Sequence, residues 1–303
     1  MFQHTINNSI SFSGQGLHTG LGINMVIEPA APDYGVRIMR TDLSGHPVFP
    51  TVADYVSYTE RGTVLENGVW RVSTVEHLLS ALYALEIDNV LIKVDAPEIP
   101  ILNGSAEPFV LAFLQAGIKQ QNTQRQVFTP KEKIEYDNGQ GSYIALLPDN
   151  HFNVDVTIGY DSTILGNQRA RLNRLSDYPA EIASARTFCF VREIEPLLDL
   201  GLIKGGNLDN ALVIYERQIS QEKLDRLADL CHVNHLPADR LGYLSEPKFD
   251  NEAARHKLLD IIGDISLVGV PIQGKLIASR PGHTVNTQFA KIVREKMLEV
   301  SSL

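Results

Sequence analysis

Apolar and polar residues alternate with a period of two in several parts of the chain, which is the pattern of half-buried β-strands. The apolar positions of the clearest runs are Ile23, Met25 and Ile27, then Val90, Ile92 and Val94, and later Phe152, Val154, Val156 and Ile158. In the second half, strands are expected near residues 143–158 and 212–215. Period two therefore dominates much of the chain, and a large content of β-sheet is predicted.

A helical period appears between the first two strand regions. Its buried stripe follows the i, i+3, i+4, i+7, i+10 spacing of one helix face. The stripe consists of Val75, Leu78, Leu79, Leu82 and Leu85. Ser105 can cap a second helix that ends at Gly117. Two further helices are predicted, one from about Ala180 and one over residues 252–265.

The length of 303 residues exceeds the usual size of one domain, so two domains are expected. Residues 119–126 are polar and show no apolar periodicity, and we place the boundary there. This predicts a first domain over 1–122 and a second over 127–303. Because both halves mix strands with two main helices, the predicted fold class is α+β, with two similar two-layer sandwiches of mixed sheet and helices that suggest an internal duplication.

Composition narrows the possible functions. The net charge of −9 argues against general nucleic-acid binding, which needs a basic surface. The two cysteines, Cys189 and Cys231, form no CxxC pair, so neither a disulfide framework nor a thiolate zinc site is predicted. No run of 18 apolar residues predicts a transmembrane segment, and the first residues lack a secretion signal. We therefore expect a cytoplasmic protein.

Glu76 and His77 lie side by side in the first turn of the predicted helix, away from its leucine stripe. They can face a polar site. Two ordinary interpretations remain open: Ser73 and Glu76 have the spacing of a capping box, and His77 can be a partly buried histidine without a ligand.

In the helix predicted over 252–265, the polar residues His256, Asp260 and Asp264 recur every four residues on one face. Imidazole nitrogen and carboxylate oxygen both suit zinc, so His256 and Asp260 can share one metal ion. The same i, i+4 pair is also common as a simple helix salt bridge. Spacing alone leaves both interpretations open.

A catalytic zinc needs three protein ligands and an open position for water, and His77 would complete a set with His256 and Asp260. Glu76 would then lie close to the zinc-bound water as its general base. His283 follows a predicted strand in a turn-rich loop, where it can act as a general acid supported by Asp264. The alternative for His283 is an exposed loop histidine.

Taken together, these segments resemble the zinc-dependent UDP-3-O-acyl-N-acetylglucosamine deacetylases of lipid A biosynthesis. The resemblance covers nearly the whole chain. The segments that carry it are residues 14–20, 73–78, 96–101, 103–106, 183–188, 205–209, 255–257, 260, 263–264 and 281–283.

The resemblance implies an active site in the cleft between the two domains. It implies the same roles for His77, His256 and Asp260 as zinc ligands, for Glu76 as base, and for His283 with Asp264 as acid. It adds Thr187 as a donor to the oxyanion and Lys257 as a contact to the substrate or the leaving amine.

The implied substrate has a sugar-nucleotide head and a fatty acyl tail. Candidate substrate-binding residues are Phe188, Phe190, Ile194, Gly206 and Thr63. Phe188, Ile194 and Gly206 are expected to border the acyl passage. The apolar residues between 188 and 203 can equally form the core face of a helix and a strand.

Two rival functions stay open at this point: a zinc amidohydrolase that acts on another acylated amino sugar, and a non-catalytic zinc or lipid-binding protein with this fold. Fe²⁺ can occupy the same ligands in the cell. Some members of the family carry a hydroxyacyl-carrier-protein dehydratase fused after the deacetylase. The resemblance therefore leaves open such a C-terminal domain as a partner, which these 303 residues do not include.

Overall fold

The structure is a computed structural model, and it describes residues 1–194, 210–230 and 235–301. Two five-stranded mixed sheets form its frame. The first contains β2 (Ile10–Gln15), β3 (Gly22–Pro29), β4 (Val36–Arg40), β5 (Val48–Pro50) and β9 (Val90–Val94). The second contains β11 (Ile134–Asp137), β12 (Tyr143–Leu147), β13 (Asn153–Gly159), β14 (Asn167–Leu172) and β18 (Lys275–Ser279).

The two sheets have the same topology. The strand orders are β2-β3-β9-β4-β5 and β11-β12-β18-β13-β14. In each sheet the third and fourth strands in this order run parallel, and the other neighbours are antiparallel. This repetition confirms the predicted α+β class with two similar halves. An internal duplication would produce the same topology in both halves. The exact boundary near residues 122–127 stays a prediction.

Each half adds one helix before its central strand and one after it. These are α1 (Glu76–Ala84) and α2 (Glu107–Ala116) around β9, and α5 (Glu252–Ile265) and α6 (His283–Ser301) around β18. The apolar stripes of α1 and α5 are buried, as their periodicity predicted. α1 and α5 pack against each other, so the two halves meet along this helix pair.

Each half also carries an insertion at the equivalent point of the chain. The first insertion lies between β5 and α1, and the second lies between β14 and α5. The first is a three-stranded sheet of β6 (Val56–Tyr58), β7 (Val64–Asn67) and β8 (Trp70–Ser73). The second contains α3 (Tyr178–Glu181), β15 (Phe188–Phe190), β16 (Leu212–Tyr215), α4 (Gln221–Leu230) and β17 (Gly242–Tyr243). Each insertion therefore leads into one helix of the packed pair, α1 or α5.

Two predicted elements differ from the structure. The helix expected from about Ala180 is only the single turn α3, because the chain leaves it to enter the short strand β15. The polar segment assigned to the boundary forms strand β10 (Ile118–Gln124), which pairs with β1 (Phe2–Ile6). The helix near Ser105 is confirmed as α2, and the Ser105 hydroxyl accepts a hydrogen bond from the Glu107 amide at 3.2 Å. No helix in the described part of the chain is both long and apolar enough to span a bilayer.

Candidate active site

Three buried side chains meet where α1 packs on α5. His77 is in the first turn of α1, and His256 and Asp260 are one turn apart on α5. Their ligand atoms all lie within 4.8 Å of one another, and His256 Nε2 is 3.3 Å from Asp260 Oδ1. This spacing lets one nitrogen or oxygen from each residue reach a single metal ion.

The polar atoms of this cluster fit a cation. Asp260 Oδ1 is buried and has no hydrogen-bond partner among the residues that the structure describes. An unsatisfied buried acceptor costs about 1–3 kcal/mol, so a bound cation would remove that cost. His256 Nδ1 lies 3.1 Å from the carbonyl oxygen of Ala185, which can only accept, so Nδ1 carries the proton and Nε2 is left free to bind metal.

Burial keeps both imidazoles in the neutral form that binds metals. It lowers the pKa of His77 to about 3, and it also lowers the pKa of His256. Burial alone would raise the pKa of Asp260, but the neighbouring His256 and Lys257 lower it well below its usual range. The cluster therefore offers two neutral nitrogens and one carboxylate, a donor set that suits zinc.

Glu76 projects next to this cluster at the start of α1. The Thr63 amide donates to Glu76 Oε2 at 3.1 Å, and Oε1 lies 3.8 Å from His283 Nε2. Burial raises the pKa of Glu76 to about 7, although the charge of His283 opposes this shift. A carboxyl with such a pKa can exchange a proton near neutral pH.

The capping-box interpretation of Glu76 is wrong. Among the described residues, no side chain caps the N-terminus of α1, and the Ser73 hydroxyl donates instead to the Pro97 carbonyl at 3.1 Å. The amide that Glu76 satisfies belongs to Thr63, which directly precedes strand β7 of the neighbouring three-stranded sheet. The glutamate is therefore fixed by a distant contact rather than by its own helix.

His283 and Asp264 form a pair beside Glu76. His283 Nδ1 is 3.0 Å from Asp264 Oδ2, and its Nε2 lies 3.8 Å from both Glu76 Oε1 and Asp260 Oδ2. Burial alone would lower the pKa of His283, but the three carboxylates raise it to about 9. The expected loop position is wrong, because His283 is the first residue of α6 and only 10% of its side chain is exposed.

A cavity of about 770 Å³ opens in front of these groups. Besides the metal cluster, Glu76 and His283, four of the sequence-predicted residues line it: Thr187, Phe188, Ile194 and Lys257. Cys189, Ala211 and Val213 extend its apolar wall, whereas His18, Arg61 and Arg280 line a polar part. The Lys257 ammonium donates to Asp260 Oδ2 at 2.8 Å and lies 5.5 Å from the centre of the Phe188 ring.

The remaining sequence-predicted residues lie elsewhere. Phe190 is not a cavity-lining residue: only 2% of it is exposed, and it packs against Tyr160 with ring centres 5.5 Å apart. Thr63 is fully buried behind the cavity, where its hydroxyl donates to Asp264 Oδ1. Gly206 falls outside the described residues.

Two polar residues that sequence analysis did not assign support this site. Asn286, fully buried on α6, donates to Asp264 Oδ2 at 2.9 Å. Glu98, also fully buried, accepts the amides of His18 and Thr19 at 2.9 Å each, together with the Thr74 hydroxyl at 3.1 Å. Both sides of the Glu98 contact lie in segments that carry the resemblance, residues 14–20 and 96–101, but no local pattern links segments some 80 positions apart.

Proteins with similar sequences indicate the family of this chain. The sequence model of the family described as "LpxC: UDP-3-O-acyl N-acetylglycosamine deacetylase" matches residues 3–245 and 234–295. A protein named bifunctional enzyme LpxC/FabZ, from Bacteroides thetaiotaomicron, is 51% identical over 97% of this chain and 65% of its own length. A protein of the same name from Porphyromonas gingivalis is 48% identical over 97% of this chain and 64% of its own length.

The chain thus spans just under two thirds of these two bifunctional relatives. A UDP-3-O-acyl-N-acetylglucosamine deacetylase from Myxococcus xanthus is 35% identical over 99% of this chain and 87% of its own length. Because the family match covers nearly all of the sequence, and this relative is matched over most of its length, the chain belongs to the LpxC family of UDP-3-O-acyl N-acetylglycosamine deacetylases.

Proposed function

We propose that this chain hydrolyses the N-acetyl group of UDP-3-O-acyl-N-acetylglucosamine and releases acetate, as a zinc-dependent step of lipid A biosynthesis in the cytoplasm. The observation that carries the proposal is the buried cluster of His77, His256 and Asp260 beside Glu76, in a chain of this family. The names of the relatives support the substrate.

His77, His256 and Asp260 would hold the zinc ion. When bound, zinc would supply Lewis-acid chemistry, since it lowers the pKa of water and polarises a carbonyl oxygen. His256 contributes Nε2 because its Nδ1 is engaged by the Ala185 carbonyl, and Asp260 contributes its otherwise unsatisfied Oδ1. Fe²⁺ suits the same donors.

Glu76 and His283 divide the proton transfers between them. Glu76 Oε2 is fixed by the Thr63 amide, so Oε1 takes the proton of the attacking water. His283 Nδ1 is held by Asp264, so Nε2 is the nitrogen that gives a proton to the departing amine. The two groups lie 3.8 Å apart and can therefore act on the two sides of one amide.

The cavity walls suit the two ends of the proposed substrate. Phe188, Ile194 and Val213 can border the acyl chain, while Arg61 and Arg280 can bind the diphosphate. Between them, the Thr187 hydroxyl would donate to the oxyanion that develops on the acetyl carbonyl. Lys257, already paired with Asp260, would contact the sugar side of the amide.

The variant Glu76→Gln tests this assignment, because its amide cannot accept the proton of water. We expect unchanged zinc content and a loss of about 10²–10⁴-fold in kcat for acetate release, the usual contribution of a general base. Glu66→Gln is the matched control, since Glu66 is a partly exposed glutamate of the adjacent small sheet and should leave turnover unchanged.

Near-normal kcat in Glu76→Gln would remove Glu76 as the base. The same assay should compare UDP-3-O-acyl-N-acetylglucosamine with an N-acetylated amino sugar that lacks the nucleotide. Faster turnover of the simpler sugar would favour a zinc amidohydrolase acting on another acylated amino sugar.

A further inference from the structure

A buried ion pair lies one helical turn before the metal ligands. Glu252 is the first residue of α5, and Glu252, His256 and Asp260 follow one another at intervals of four residues, so they share one face of the helix. Glu252 is 1% exposed and its partner Arg186 is 8% exposed. The pair does not line the cavity, and the proton transfers proposed above do not use it.

The contacts of Glu252 are unusually complete. Its Oε1 accepts the Arg186 amide at 3.0 Å and Arg186 Nε at 2.9 Å, and its Oε2 accepts Arg186 Nη2 at 3.2 Å and the Lys248 amide at 2.6 Å. Arg186 Nη2 also donates to the Glu246 carbonyl at 2.8 Å. One carboxylate thereby fixes both the backbone and the side chain of Arg186 against the start of α5.

The residues on either side of Arg186 belong to the active site. The Ala185 carbonyl accepts His256 Nδ1, so it sets the orientation of the imidazole that presents Nε2 to the metal. Thr187 lines the cavity, and its amide donates to the Gly104 carbonyl at 2.8 Å. The chain then enters the cavity wall at Phe188. Glu252 and His256 therefore hold consecutive residues of the same segment.

We propose that Glu252 and Arg186 are positioning residues for the metal site: they fix the Ala185 carbonyl, which holds His256 in the orientation needed to bind zinc. The inference rests on the proposed zinc site. A buried ion pair whose only effect is on folding would change stability and leave metal affinity unchanged. A positioning pair changes metal affinity, because a freed carbonyl no longer fixes the tautomer or the rotation of the ring.

Two conservative variants test the pair. In Glu252→Gln, the amide group of the new side chain would point NH₂ donors at the donors of Arg186 or Lys248. In Arg186→Lys, the charge remains but the forked contact with both carboxylate oxygens is lost. The control is Asp88→Asn, because Asp88 likewise accepts an arginine and a backbone amide, from Arg125 Nε at 2.9 Å and His4 N at 2.8 Å, away from the cavity.

The measurements are the zinc dissociation constant of the full chain by chelator competition, the absorption spectrum of the Co²⁺-loaded chain, and the melting temperature. We expect Glu252→Gln and Arg186→Lys to weaken zinc binding by about 10–100-fold and to alter the Co²⁺ spectrum. Asp88→Asn should lower the melting temperature with zinc affinity unchanged.

Unchanged zinc affinity and an unchanged Co²⁺ spectrum in both variants of the pair would overturn the inference, even if their melting temperatures fell. An equal loss of zinc affinity in Asp88→Asn would overturn it as well, because the effect would then follow general stability. If the unaltered chain bound no zinc, the proposed function would fail first, so the two failures are distinguishable.

Discussion

For the variant Gly263→Ala, helix propensity and tertiary packing predict changes of opposite sign in the free energy of unfolding. Gly263 lies inside α5, where replacing glycine by alanine normally stabilises a helix by about 1 kcal/mol. Here a Cβ would fall 2.1 Å from the carbonyl oxygen of Glu76 and 2.8 Å from its carbonyl carbon. Both are backbone atoms, so no rotation of a side chain can relieve the contact.

Restoring an ordinary contact of 3.4 Å requires α1 and α5 to separate by about 1.3 Å at the residue that carries the proposed base. Overpacking costs about 1–3 kcal/mol, and a contact of 2.1 Å with a backbone atom belongs to the upper part of that range, above the gain of about 1 kcal/mol in helix propensity. A displacement of 1 Å in a catalytic group can cost about 10²-fold in rate. We therefore expect Gly263→Ala to have a lower free energy of unfolding. We also expect its kcat per folded molecule to fall.

The assays are urea unfolding and kcat for acetate release, with activity expressed per folded protein. Gly22→Ala is the control, since a Cβ at Gly22 meets nothing within 4 Å and its backbone angles suit any residue. A Gly263→Ala variant that is as stable and as active as the unaltered chain would refute the close packing of α1 on α5.

Three further predictions concern the site and the stability of the second half. His256→Ala should lower zinc occupancy after dialysis, and full occupancy measured by metal analysis would remove His256 from the ligand set. Asn286→Ala should lower kcat with little change in KM, because Asp264 loses a buried donor and holds His283 less firmly; a change confined to KM would contradict this. The hydrogen bond from Arg169 is the main cause that lowers the pKa of Asp155 below its usual value of 3.8. The ion pair therefore stabilises the fold above pH 3.8, and this stabilisation is lost as the pH falls through the lowered pKa. Urea midpoints of the unaltered chain and Asp155→Asn should therefore differ at pH 7 and converge in acid, and a gap that stays constant with pH would contradict the assignment.

The elements whose apolar residues recur at a regular spacing were predictable from the sequence. The strands around Met25, Ile92 and Val156 and the helices α1 and α5 are confirmed, because burial of one face imposes a regular spacing. The resemblance to the deacetylase family is confirmed as well. The spacing within α5 also predicted that His256 and Asp260 can bind the same metal ion, and in the structure His77 lies next to them.

The contacts that support the site were not predictable, because they join distant parts of the chain. Ser73 and Glu76 matched a capping box, yet the amide that Glu76 binds comes from Thr63, which directly precedes strand β7. Glu98 holds the loop at His18, and Glu252 holds Arg186, through pairs separated by 80 and 66 positions. No local period reports such pairs, since each depends on how two separate elements pack.

In the proposed function, one buried zinc ion at His77, His256 and Asp260 supports hydrolysis of an acetamide. The most direct test measures zinc content together with acetate release from UDP-3-O-acyl-N-acetylglucosamine, before and after treatment with a chelator. We predict one zinc per chain and turnover that disappears on metal removal and returns when zinc is added back. Turnover that persists in the metal-free chain, or bound zinc without any release of acetate, would contradict the account.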